Sequence, residues 1–177
     1  PGIDIRGTSR AFMSNLLGGR VQGGSTLTQQ YVKNVLIETA SSADAVREAR
    51  ARRLSRKVRE LRLAMSLERR LPKDKILENY LNIAFFGSHA YGVETAARRY
   101  FSKPAAKLNL AEAATLAGIV QSPSLFNPLS HPQQSRHRRA VVLARMLSQG
   151  YITREQAKAA ASIPTEKLLN VTPFENG

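Results

Sequence analysis

Apolar residues recur at helical spacing along most of the chain, and turn-forming residues separate blocks of helix length. The alternating apolar and polar pattern of a half-buried strand is scarce. The pattern therefore predicts a mostly α-helical fold. The predicted helices cover about residues 5–17, 26–37, 45–71, 73–82, 93–100, 110–120, 132–149 and 153–161.

The spacing of apolar residues also predicts which face of each helix is buried. In the long basic helix, Leu54, Val58, Leu61 and Met65 recur at intervals of four, three and four, which predicts one buried stripe. In the next helix the predicted inward residues are Ile76, Leu77, Tyr80 and Leu81. After Asn109 the predicted buried face comprises Leu110, Ala113, Ala114, Ala117 and Val120.

Capping signals mark several helix ends. Thr26 with Gln29, and Asn109 with Glu112, have the spacing of a capping box, in which the two side chains satisfy free backbone N–H groups. Helix capping therefore explains the presence of Glu112, which needs no chemical role. An ion pair with Lys75 on the helix surface explains Glu78 in the same way.

Charge narrows the range of partners. Lys and Arg number 27 against 13 Asp and Glu, which gives a net charge of +14 over 177 residues. Such a surplus favours a polyanionic partner, which could be nucleic acid, anionic lipid or a phosphorylated substrate. The chain contains no cysteine, which excludes disulfides, cysteine metal sites and a thiol nucleophile. No apolar run reaches the roughly 18 residues of a membrane span.

Two polar clusters near the start could carry chemistry. The turn formed by Gly23, Gly24, Ser25 and Thr26 precedes a helix, whose free N–H groups and positive dipole end favour phosphate. The following helix places Gln30, Lys33 and Asn34 on one face, close to Gln29. A flexible joint followed by a solvated polar face would explain the same residues.

Glu60 forms a third candidate. Arg56 and Lys57 lie four and three residues before it, so cations surround its face of the helix. A carboxylate in this setting suits charge positioning or metal coordination better than proton transfer. The competing interpretation is an ordinary surface helix with weak ion pairs between successive turns.

Read together and in order, four segments resemble the signatures of family 51 glycosyltransferases, the peptidoglycan glycosyltransferases. Residues 22–30, followed by Lys33 and Asn34, resemble the second signature, and residues 56–68 resemble the third. Residues 75–82 resemble the fourth signature, and residues 111–128 resemble the fifth.

The resemblance implies a lysozyme-like helical domain with a large lobe and a smaller membrane-associated lobe. Residues 1–24 would belong to the small lobe, residues 25–165 mainly to the large lobe, and residues 166–177 to a tail. An apolar cluster would then lie in the membrane-contacting lobe, and it consists of Phe12, Met13, Leu16 and Leu17.

The resemblance also implies a reaction, its location and its partners. The substrates would be lipid II and the growing lipid-linked glycan, at the outer face of the bacterial cytoplasmic membrane. The acceptor 4-hydroxyl would attack the anomeric carbon of the donor with inversion, and lipid pyrophosphate would leave. A divalent ion, Mg or Mn, could assist at the pyrophosphate, and a C-terminal transpeptidase domain could follow in the full-length protein. No nucleic-acid partner is implied.

The resemblance also implies site residues, because residues of this chain match functional positions in the family's signatures. Glu60 matches the second family glutamate, which helps to position the donor pyrophosphate and is the implied catalytic residue. The implied substrate-binding residues are Ser25, Thr26, Gln30, Lys33, Asn34, Arg52, Arg56, Lys57, Arg59, Gln121 and Ser124.

Two departures from the family pattern matter. The first signature, Glu-Asp, then Phe, then His-x-Gly, supplies the general base, and only Pro1-Gly2 matches its end. The chain is therefore interpreted as a segment of a longer protein, and alone it is expected to be inactive. The stretch between Lys33 and Glu60 is also longer than usual, and Arg52 is the residue chosen for the cationic position within it.

Two other function classes compete. A basic helical nucleic-acid-binding module would explain the charge, although no helix-turn-helix, zinc-finger or RNA-recognition signature is present. A lysozyme-like hydrolase would share the fold, since a fold does not fix a function. Hydrolases usually need a carboxylic acid with a raised pKa, which the basic surroundings of Glu60 disfavour.

Overall fold

The computed structural model describes residues 27–40 and 54–171, without the side chains of residues 54–56. It divides into two compact units, Pro1–Ile83 and Ala84–Gly177. The described residues form helices and turns, with no strand among them, so the mostly α-helical prediction is confirmed. None of the helices in these ranges is long and apolar enough to cross a membrane. The predicted first helix with its apolar cluster lies outside the described residues.

Three helices form the described part of the first unit: α1 (Leu27–Glu38), α2 (Leu54–Arg70) and α3 (Lys73–Ile83). Helix α1 packs against both α2 and α3. The buried apolar side chains are few, and they are Val32, Ala64, Ile76 and Tyr80. Leu77, predicted to face inward, is exposed. Among the described residues of this unit, the buried polar ones are Thr28, Gln29 and Glu60.

The buried face of α2 differs from the predicted stripe. Val58 and Met65 are 50% and 42% exposed, whereas Glu60 and Ala64 are almost fully buried. At 100° per residue the buried face is rotated by roughly 90° from the predicted one. The prediction was wrong because it weighed hydrophobicity alone. The helix instead turns a small alanine and a carboxylate inward, which leaves two larger apolar side chains in solvent.

The second unit begins with a tight turn and continues as a helical cluster. Its elements are α4 (Val93–Phe101), a 3-10 helix (Ala105–Lys107), α5 (Leu110–Ile119), α6 (Pro132–Ser148), α7 (Arg154–Ser162) and α8 (Thr165–Leu168). Helix α6 packs against α5, α7 and α8. The largest apolar side chains of the core are Phe86, Tyr100, Phe101, Ile119 and Leu143. Two predicted inward residues of α5, Ala113 and Ala117, are exposed.

The predicted capping box at Asn109 is confirmed. The Glu112 N–H donates to Asn109 Oδ1 at 3.0 Å, and the Asn109 N–H donates to Glu112 Oε2 at 2.9 Å. A second capping box, unpredicted, joins Thr153 to Gln156 at the start of α7. The box at Thr26 lies outside the described residues.

Helix α6 secures the end of the chain. Arg136 Nη2 donates to the Ser162 carbonyl at 3.2 Å, Arg139 donates to the Ile163 carbonyl, and Thr165 Oγ1 donates to the Pro132 carbonyl at 3.0 Å. Cationic donors at the last carbonyls of α7 also complement its helix dipole. The segment assigned to a tail therefore begins within α8, and the Asn170 N–H still donates to the Tyr100 carbonyl at 2.8 Å.

Candidate active site

Glu60 is the buried acidic residue at the middle of α2. Only 1% of the residue is exposed, and Lys57, one turn earlier, donates from Nζ to Glu60 Oε2 at 3.3 Å. The Lys57 side chain keeps 41% of its surface in contact with solvent. The pair thus joins a buried anion to a cation that solutes can reach.

Burial decides between the two interpretations of Glu60. A surface glutamate in an i,i+3 pair is worth a few tenths of a kcal/mol and needs no function. Removing a carboxylate from water costs several kcal/mol unless charges and hydrogen bonds offset it. Glu60 is therefore not an ordinary surface residue, and its catalytic role stays a prediction.

The other candidate cations of this region have different settings. Arg59 is exposed, and it follows directly after Val58 on the outer side of α2. The backbone of Arg56 lies in α2, one turn before Glu60. Ser25, Thr26 and Arg52 lie outside the described residues, as does the side chain of Arg56. Substrate contact by these residues stays a prediction.

Helix α1 carries the predicted polar cluster. Gln30 is exposed, Lys33 and Asn34 are half-buried, and Gln29 is buried. Tyr80 on α3 donates from its hydroxyl to Gln30 Oε1 at 3.3 Å. Burial raises the pKa of the Tyr80 phenol, so this hydroxyl keeps its proton at neutral pH. With its oxygen engaged, Gln30 retains its amide N–H groups as donors. Substrate contact by Gln30, Lys33 and Asn34 stays a prediction.

Sequence reasoning missed two hydrogen-bonding roles in the first unit. Tyr80 was assigned to the core alone, although a buried tyrosine usually finds a partner for its hydroxyl. Thr28 Oγ1 donates to Glu68 Oε1 at 2.5 Å, a contact between residues 40 apart in sequence. Glu68 ends the segment that resembles the third signature, and that position is the signal that could have drawn attention to it.

In the second unit, Gln121 and Ser124 lie on the turn that follows α5, and both are exposed. The backbone of this turn is held by bonds from the N–H groups of Leu125 and Phe126 to the Ser122 carbonyl, at 3.1 and 3.0 Å. The turn is fixed further at Asn127, which donates from Nδ2 to Ser88 Oγ at 3.0 Å. Substrate contact by Gln121 and Ser124 stays a prediction.

The turn around Gly87 requires glycine. Gly87 has a φ of 82°, and a Cβ there would lie 3.2 Å from Asn127 Nδ2, the Pro123 carbonyl oxygen and the Tyr100 hydroxyl. Tyr100 also donates to the Phe86 carbonyl at 2.8 Å. A close approach between this turn and the segment after α5 thus sets the backbone on which Ser124 lies. His89, on the same turn, is exposed.

The chain is similar to much longer proteins of bacterial origin. Penicillin-binding protein 1A of Aquifex aeolicus is 46% identical over 164 residues, covering 92% of this chain and 21% of that protein. Penicillin-binding protein 1A of Pseudomonas aeruginosa is 41% identical over 177 residues, covering 99% of this chain and 20% of that protein. The chain thus spans about a fifth of the length of these relatives.

A solved structure and a family model agree with these relatives. The crystal structure of penicillin-binding protein 1A from Haemophilus influenzae matches with a TM-score of 0.50 and 32% identity, over 82% of this chain and 17% of that one. The likeness supports the predicted lysozyme-like transglycosylase fold. The transglycosylase family model matches residues 1–147. The chain therefore belongs to the transglycosylase family.

Proposed function

We propose that this chain is the glycosyltransferase domain of a peptidoglycan synthase, and that the full-length protein polymerises lipid II into glycan strands. Lipid II and the growing lipid-linked glycan are the proposed substrates. The observation that carries the proposal is the buried Glu60, paired with the half-exposed Lys57 in a member of this family.

The Glu60–Lys57 pair suits the leaving group of this reaction. Negative charge grows on the donor pyrophosphate as its bond to the anomeric carbon breaks, and a positioned cation stabilises that charge. A bare carboxylate would repel the pyrophosphate. Lys57 removes this repulsion because its ammonium is held by Glu60 on one side and can meet the phosphates on the other. Lys33, on α1, is a second candidate cation for the same anion.

The proposal includes a place for a divalent ion, at Glu60 and the pyrophosphate. Among residues 27–40 and 54–171, no three His, Asp, Glu or Cys side chains cluster so as to hold a metal. Mg²⁺ is often bound by one or two carboxylates together with substrate phosphates. Glu60 would be that carboxylate for Mg or Mn, and the ion would supply further positive charge at the pyrophosphate.

Several other acidic residues have structural partners, and none of these is assigned as the general base. Glu112 belongs to a capping box, and Glu94 accepts from Arg98 and from the Ala105 N–H. Glu78 pairs with Lys75 at 2.8 Å, as predicted.

The proposed location is the outer face of the cytoplasmic membrane. A net charge of +14 attracts the chain to anionic headgroups as well as to pyrophosphate. The relatives are about five times longer than this chain and are penicillin-binding proteins. We therefore propose that a transpeptidase domain follows in the full-length protein.

Polymerisation of lipid II by the full-length protein tests the proposal. We expect the wild type to form glycan strands, and we expect Glu60→Gln to slow this at least about 100-fold, the usual cost of removing a preorganised electrostatic group. Near-normal polymerisation by the variant would refute the role of Glu60.

The competing functions give different results in two further assays. Release of reducing ends from purified peptidoglycan would favour a hydrolase. Duplex-DNA binding that survives at physiological salt would favour a nucleic-acid-binding module, since binding through phosphates alone weakens steeply with salt.

A further inference from the structure

Glu68 is a half-buried residue of α2, eight residues beyond Glu60 and rotated from it by about 80° around the helix axis. Eight residues of helix correspond to roughly 12 Å. Its Oε1 accepts a hydrogen bond from Thr28 Oγ1 at 2.5 Å, and Thr28 is buried. Hydrogen bonds from a hydroxyl to a carboxylate are short, and they are stronger than bonds between neutral groups. The contact joins α1 to the helix that carries Glu60.

The Thr28–Glu68 bond is important for the packing of α1 because the buried residues of this helix are mostly polar. The buried residues of α1 are Thr28, Gln29 and Val32, so two of the three are polar. Apolar contacts have no preferred direction, so they fix the position of a helix along its axis only weakly. A hydrogen bond demands a short distance and a narrow range of angles. The register of α1 against α2 therefore depends on the Thr28–Glu68 bond more than on its apolar contacts.

That register matters because of what α1 carries. Thr28 is the second residue of the helix, and Gln30, Lys33 and Asn34 follow it within two turns. A shift of the first turn of α1 would move all three relative to the Glu60–Lys57 pair. Misplacement by about 1 Å can cost up to about 100-fold in rate.

We propose that Glu68 is a positioning residue for transglycosylation, which acts through Thr28 to hold the polar face of α1 in register with Glu60. The proposal rests on the proposed function, because it assigns substrate contact to α1. It names no contact between Glu68 and the substrate.

The test compares variants of the full-length protein in steady-state polymerisation of lipid II. Thr28→Val keeps the shape of the side chain and removes the donor, and Glu68→Gln keeps the shape and removes the charge. We expect each to lower kcat/KM roughly 10-fold with a raised KM for lipid II. The double variant should be no worse than the poorer single one, because Thr28→Val already removes the bond that Glu68→Gln weakens. Thr28→Ser, which retains the hydroxyl, should stay within about 2-fold of the wild type.

Glu78→Gln is the matched control. Glu78 is an exposed glutamate of the same unit, paired with Lys75, so its loss should leave kcat/KM within about 2-fold. A purely structural role for Glu68 would reduce the amount of folded enzyme, and thus apparent kcat, at unchanged KM.

Three results would overturn the proposal: unchanged KM in both single variants, additive effects in the double variant, or a Thr28→Ser variant as poor as Thr28→Val. If the wild type polymerises lipid II and the variants match it, the positioning role alone fails. A wild type that forms no polymer overturns the proposed function and this proposal together.

Discussion

Glu60 and Glu112 are equally hidden from solvent, at 1% and 4% exposure, yet their surroundings differ. Glu112 lies in the first turn of α5, where a helix dipole and free N–H groups favour an anion. It accepts from the Asn109 N–H at 2.9 Å and from Lys103 Nζ at 2.8 Å. The local structure explains this carboxylate fully.

Glu60 has no such helix-end setting. It lies at the sixth position after Leu54 in a 17-residue helix, beyond the free N–H groups of the first turn. Lys57 binds it at 3.3 Å from a half-exposed position. The difference teaches that burial alone does not identify a functional carboxylate. A buried carboxylate that caps a helix is explained by the fold, whereas the proposed role of Glu60 has to be tested by substitution.

Replacing the structural carboxylate should give the largest loss of stability. Glu112→Ala removes the capping box and leaves Lys103 without its partner, so we expect the opening free energy of α5 to fall by about 3 kcal/mol. Hydrogen exchange of the α5 amides measures this change. Protection within about 0.5 kcal/mol of the wild type would break the comparison, because Glu112 would then have no structural role.

Removing the accessible cation should lower both the rate and the stability. Lys57→Met keeps the aliphatic stem and removes the charge. We expect kcat/KM of the folded protein for lipid II polymerisation to fall about 10-fold, and α2 to lose about 2 kcal/mol, because Lys57 no longer offsets the buried charge of Glu60. Unchanged kcat/KM in the folded variant would make the Glu60 pair a structural ion pair only.

The smallest expected effect comes from Asn109, the residue that shares the capping box with Glu112. Asn109→Ala removes one half of the capping box and should lower the stability of α5 by about 1 kcal/mol, with polymerisation unchanged. Hydrogen exchange and the polymerisation assay read the two outcomes. Slower polymerisation by a fully folded Asn109→Ala protein would place the start of α5 in the site.

The sequence predicted the helices well and their buried faces less well. The limits of α1, α3, α4, α5, α6 and α7 agree with the prediction within one residue or so. These limits depend on local signals, such as the Asn109 cap before α5 and Pro72 before α3. The buried face depends on what packs against a helix, which is why Val58 and Met65 were assigned to the wrong side of α2.

The candidate site likewise has features that depend on local sequence and features that depend on packing. Motif order predicted Glu60, Lys57 and Gln30 as site residues, because residue type and spacing survive in a linear sequence. Two hydrogen bonds between the helices of the first unit join distant positions, and these were not predicted. Tyr80 reaches Gln30 across 50 residues, and Thr28 reaches Glu68 across 40. Such contacts exist only after α1 has packed against α2 and α3.

The contrast between the two carboxylates is tested most directly by Glu60→Gln and Glu112→Gln, prepared in the full-length protein and assayed side by side for lipid II polymerisation and hydrogen exchange. We predict that Glu60→Gln loses at least about 100-fold in rate with α2 still protected. Glu112→Gln should lose protection at α5 and keep the rate of its folded fraction. Polymerisation near the wild-type rate by a folded Glu60→Gln protein would contradict the account.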